Sequence, residues 1–89
     1  LQHEPLRTST LSDGTTLFEG ELTNNSNSRI WEPVSVKLML LDQSDSLVWE
    51  FEKRLRDGLD LGESAFYEIS VPPDVGAWDA SEIVPMCGS

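Results

Sequence analysis

The sequence predicts an all-β fold, a small antiparallel β-sandwich of about six to seven strands in a single domain spanning residues 1–89. Three observations predict it. Apolar residues recur at every second position through most of the chain, clusters of turn-forming residues separate these runs, and no long stretch carries a capped helical stripe.

The clearest strand runs from Val34 to Leu41, with Val34, Val36, Leu38 and Leu40 on one face and Ser35 and Lys37 on the other. Leu47, Trp49, Phe51 and Leu55 alternate with Glu50, Glu52 and Arg54 in the next run, which predicts a strand in which Trp49 is a core residue. The polar linker Asp42-Gln43-Ser44-Asp45-Ser46 between them predicts an antiparallel hairpin. Upstream, Thr16 to Thr23 reads as a strand with Phe18, Gly20 and Leu22 on one side, and it is expected to pair with Val34 to Asp42. The Asn24-Asn25-Ser26-Asn27-Ser28 run ends it, because Asn and Ser side chains bond local backbone groups and favour turns.

Downstream, Ala65, Tyr67, Ile69 and Val71 alternate with Phe66, Glu68 and Ser70, and Pro72-Pro73 stops the strand by removing two backbone donors. A last strand is expected over Ala80 to Met86 and a first over Leu6 to Leu11. Leu55 to Gly62 has room for a helical turn, but its two glycines favour a loop.

Sixteen acidic against six basic residues give a net charge of −10, which opposes contact with nucleic acid and with anionic membrane surfaces. The longest apolar run, Leu38-Met39-Leu40-Leu41, falls far short of the roughly 20 residues of a membrane span, so no direct membrane insertion is expected. The single cysteine, Cys87, leaves no intramolecular disulfide to form and is expected free or paired between chains. The chain opens on Leu1, which points to a processed form or a fragment of a larger protein.

The segment Gly20-Glu21-Leu22-Thr23-Asn24-Asn25-Ser26, followed by Val34 to Asp42, resembles the signature of the FxLYD domain: a glycine, alternating apolar residues, Asn-x-Ser/Thr, then a strand ending Phe-x-Leu-Tyr-Asp. The last motif stands here as Leu38-x-Leu40-Leu41-Asp42, with Leu in both aromatic positions. Leu61-Gly62-Glu63-Ser64-Ala65-Phe66 is similar to the family's Leu-x-Pro-Gly-Glu-x-x-x-Phe turn into a strand, without the proline and with the Phe displaced. Asn25, Trp31, Pro33 and Asp42 follow the pattern of a related group of bacterial envelope domains. The resemblance covers Phe18 to Pro72. It implies an immunoglobulin-like sandwich in an extracytoplasmic setting, in the cell envelope or secreted, and it brings no catalytic residues.

The residues themselves point away from an enzyme. His3 is the only histidine and lies in a terminal segment expected to fray, so neither a Ser-His-Asp nor a Cys-His arrangement has its base in place. No cofactor is expected. One His and one Cys fall short of a zinc site, while Asp42/Asp45 and Asp57/Asp60 place oxygen ligands in loops where calcium could bind, without the EF-hand pattern. Two loop tryptophans, Trp31 and Trp78, are candidate contacts for a partner or ligand, or plugs for the open ends of the sandwich. Thr8, in a weakly charged first strand, is a third candidate contact, through edge pairing that would give a weak homo-oligomer or bind another protein. Two functions follow as expectations: a non-catalytic interaction module with an unidentified protein partner, or a module binding calcium or carbohydrate through its acidic turns and loop tryptophans.

Overall fold

The computed structural model describes residues 1–87. Six strands account for most of them: β1 (Gln2–Thr10), β2 (Thr16–Thr23), β3 (Val34–Leu41), β4 (Leu47–Arg56), β5 (Ser64–Val71) and β6 (Ala80–Cys87). They form two three-stranded sheets, in the orders β1-β2-β5 and β4-β3-β6, with every neighbouring pair antiparallel. The fold is therefore the all-β, two-sheet arrangement that the period-two patterning predicts, with no helix among the described residues.

Three strands supply nearly all the core. Phe18 and Leu22 come from β2, Val34, Val36, Leu38 and Leu40 from β3, and Ala65, Tyr67, Ile69 and Val71 from β5, with Leu59 added from the β4–β5 connection. Each fully buried aliphatic side chain contributes about 1.5–3 kcal/mol relative to exposure. The other three strands bury no side chain completely; Trp49, Leu55 and Ile83 lean against the core from β4 and β6. Although β5 lies at a sheet edge, its inner face is sealed because β4 of the opposite sheet packs beside it. The Lys53 ammonium completes this closure by donating to the Glu68 carbonyl at 2.9 Å, which occupies a backbone acceptor on the edge strand.

Four expectations need correction. Thr16–Thr23 and Val34–Leu41 do not pair: β2 and β3 lie in different sheets, because the long Asn24–Pro33 connection crosses from one layer to the other. The first strand starts at Gln2 rather than Leu6 and ends at Thr10. A register shift between Pro5 and Arg7 accommodates the extension, and an edge strand tolerates the missing Pro5 donor. His3 is accordingly not frayed; it is half-buried, with Nε2 2.7 Å from the Tyr67 hydroxyl. Along β4 the apolar phase is only partly covered, with Leu47 and Phe51 exposed and Trp49 half-buried and stacked on Phe51, because β4 is itself an edge strand.

Candidate functional site

Strand direction sorts the loops into two ends. The β2–β3 and β4–β5 connections share one end, where β1 begins and β6 finishes. The β1–β2, β3–β4 and β5–β6 connections share the other. Each end displays one of the two loop tryptophans, and the two ends differ in charge and in how their loops are hydrogen-bonded.

At the first end the chain is held by a buried amide. Asn24 is fully buried; its Nδ2 donates to the carbonyls of Ser28 (2.9 Å) and Leu59 (3.1 Å), while Oδ1 accepts from the Ser26 amide and hydroxyl. Both hydrogen-bonding directions of the side chain are thus satisfied without water, as its burial requires. Reciprocal backbone bonds between Ile30 and Leu59 then tie the two connections together. Trp31 follows directly and is 79 % exposed. The Arg29 guanidinium lies 4.7 Å from the centre of its ring and reaches Asp60 at 3.3 Å. Arg54 pairs with Asp57, and Arg56 with Glu63 at 3.3 Å. This end therefore presents an exposed indole, with a cation over its ring, on a framework whose acidic groups largely have basic partners. The i, i+2 spacing of Arg29 and Trp31 in an extended segment carried the signal for their contact, since such residues share a side.

At the second end the balance is reversed. Its three connections hold Asp13, Asp42, Asp45, Asp74 and Asp79, and no Lys or Arg. Asp13 accepts from the Thr15 amide at 2.9 Å, and that bond holds its carboxyl below the ordinary carboxylate value. Asp42 organises the β3–β4 turn by accepting from the amides of Ser44 and Ser46 at 2.8 and 3.0 Å through Oδ1. Trp78 is half-buried, its ring 6.0 Å from that of Phe18 and inclined at 44°. An amide-to-carbonyl bond of 2.8 Å from Asp79 to Leu41 brings the neighbouring carboxylate beside the β3–β4 turn. Together Trp78, Asp42 and Asp79 line an open depression of about 310 Å³.

The structure thus separates the sequence-predicted residues. Trp31 plugs nothing and projects into solvent, whereas Trp78 both seals the core beside Phe18 and lines a concavity. Thr8 lies on the edge strand β1 opposite Phe18, exposed. Of the candidate calcium ligands, Asp42 bonds its own turn, Asp57 pairs with Arg54, and Asp60 pairs with Arg29 and caps the Leu61 amide. Among the described residues no three His, Cys, Asp or Glu side chains converge on a common point.

An antiparallel two-sheet sandwich with an aromatic at each end is the class these features define. No family model matches the chain, and neither a curated protein nor a solved structure gives a match.

Proposed function

We propose that this chain is a non-catalytic interaction module of a cell-envelope or secreted protein, and that it docks a protein partner through the Trp31 end. The observation that carries the proposal is the exposure of Trp31 on a loop fixed from beneath by buried Asn24. An exposed indole normally gains its place in an interface by being rigid before contact, so that little conformational freedom is lost on binding. Arg29 adds a donor fork to the same surface.

The FxLYD-like, immunoglobulin-like assignment belongs to the same reading. Pairing β2 with β5 in one sheet and β3 with β6 in the other is the pattern of the B–E and C–F pairs in such sandwiches. The quoted motif positions also have local structural roles: Asn24 staples a loop, Asp42 caps a turn, and Gly62 adopts a φ of 71°. The free edge of β1, with Thr8, is a second contact surface in this reading, through which weak self-association would run. Sedimentation of the parent chain beside Thr8→Pro reads that part; a monomer at all concentrations in both removes it.

The main test places a photo-crosslinking amino acid at position 31, with position 66, also occupied by an exposed aromatic, as the control, in the cells that produce the protein. The expected result is a discrete adduct to one envelope protein at position 31, lost when Arg29 is also replaced by Ala. Identical adducts from both positions, or none from position 31, overturn the proposal.

A further inference from the structure

We propose that the depression between Trp78, Asp42 and Asp79 binds an organic cation of the guanidinium class. This site lies at the opposite end from Trp31 and is independent of the docking role assigned there.

Three features select the ligand. The first is the wall: Trp78 is anchored on Phe18, so the indole surface lining the depression is held in place before anything binds. A cation over an indole face is attracted by the ring quadrupole. The second is the pair of carboxylates. The backbone of Asp79 is tied to the β3–β4 turn by its amide bond to the Leu41 carbonyl, and the Asp42 carboxylate is held by two turn bonds that both fall on Oδ1 and leave Oδ2 available. Neither carboxylate takes part in an ion pair among the described residues. The third is the surrounding field, since Asp13, Asp45 and Asp74 share this end without a single Lys or Arg in its connections. Such a field raises the local concentration of cations and holds them near the mouth.

Among cations, the geometry favours a flat one. A guanidinium can stack on the indole while its in-plane N–H groups fork to a carboxylate, and it is more weakly hydrated than an ammonium. A calcium ion would need six to eight oxygens and would gain nothing from the aromatic wall. The guanidinium has two sources: a free small molecule, or an arginine side chain presented by a protein segment.

The indole N–H resonances of Trp31, Trp49 and Trp78 in the intact chain report the binding. Methylguanidine, a capped Gly-Arg-Gly peptide, a capped Gly-Lys-Gly peptide and calcium chloride are titrated in turn, with ionic strength matched by KCl. Both guanidinium probes are expected to move the Trp78 signal saturably while Trp31 stays in place. Asp79→Asn is expected to weaken the association about fivefold or more, the loss of one charge-assisted contact. Asp42→Asn, which keeps the turn-capping oxygen, gives a second and independent reading. A peptide that binds about tenfold more tightly than methylguanidine identifies a protein segment as the source, and equal affinities identify a small molecule. No saturable shift beyond the KCl control, an equal response to the lysine peptide, a response to calcium alone, or affinity unchanged in Asp79→Asn each overturns the proposal.

Discussion

Tyr67 occupies the space that a side chain at Gly20 would fill: a Cβ built on Gly20 would come within 2.7 Å of the Tyr67 ring at Cε2. The two residues face each other across the β2–β5 ladder, and the absent side chain lets the ring lie back toward β1, where its hydroxyl meets His3 Nε2 at 2.7 Å. Gly20→Ala forces the ring out of this position and is expected to cost about 1–3 kcal/mol in urea unfolding. A loss below about 0.5 kcal/mol would mean that the ring moves freely, contrary to its packing.

Burial also pushes the Tyr67 phenol above its ordinary pKa of 10.0. The folded state therefore favours the neutral ring, and the unfolded chain ionises first as pH rises. The stabilisation is complete below the unfolded value and is lost as pH climbs through the folded one. Thermal unfolding between neutral and strongly alkaline pH should show a steeper decline for the parent chain than for Tyr67→Phe. Equal slopes would contradict the burial of the hydroxyl.

Leu38 sits fully buried at the centre of β3, flanked by Phe51 on β4 and Ile83 on β6. Leu38→Ala is expected to cost about 2–5 kcal/mol, through lost transfer energy and a cavity that rigid neighbours cannot fill. Leu47→Ala, on an exposed position of the edge strand, should stay within about 0.5 kcal/mol. Similar costs for the two changes would refute the contrast between the buried centre of β3 and the exposed margin of β4.

Asn24 offers a sharper test of the Trp31 framework. Asn24→Asp replaces the amide that donates to Ser28 and Leu59 with an acceptor facing two carbonyl oxygens. Desolvation and that repulsion raise the new carboxyl's pKa, so its charged form destabilises the fold at neutral pH. A loss of about 1–3 kcal/mol is expected, partly recovered as pH falls through the raised value and the group becomes a donor again. Calorimetry at pH 7 and pH 4 checks this; a loss that grows in acid, relative to the parent, would contradict it.

On the outer face of the β1-β2-β5 sheet, Glu4 stands directly opposite Glu21, and Glu19 opposite Glu68. Directly opposed like charges weaken a sheet. Glu21→Lys turns one such pair into an attractive one and is expected to add about 0.2–1 kcal/mol. The parent chain should gain stability as NaCl is raised, because its net charge of −10 is screened over about 8–10 Å, and Glu21→Lys should gain less. Salt-independent melting of both would remove like-charge repulsion as a factor.

The strands were legible in the sequence wherever one face is buried, because burial imposes a strict alternation; Val34 to Leu40 and Ala65 to Val71 are the clearest cases. Sheet membership was not legible. Nothing in Thr16–Thr23 and Val34–Leu41 specifies that they lie back to back rather than side by side, since both arrangements bury the same alternate residues. The true start of the first strand at Gln2 was not legible, because a strand that runs through Pro5 depends on a free edge visible only in the folded chain. At the candidate sites, Trp31 and Trp78 stood out by residue type, but their opposite fates depend on neighbours distant in sequence. Trp78 packs against Phe18 of the core, whereas Trp31 is met by the surface guanidinium of Arg29 and stays exposed. Lys53 as an edge closure was invisible, because its partner is a main-chain carbonyl with no sequence signature.

The placement of the two outermost strands has a mechanical consequence. The start of β1 and the finish of β6 lie at the same end of the sandwich, on opposite layers. Tension applied between Gln2 and Cys87 would therefore pull each strand away from its neighbour at one extremity. Its hydrogen bonds would open in succession, as in a zipper, and would not share the strain along the ladder as they do when strands slide in shear. Neither strand buries a complete side chain that would resist such peeling. Under tension the fold yields from the outside inward, with β1 and β6 detaching while the pairing of β2 with β5 remains.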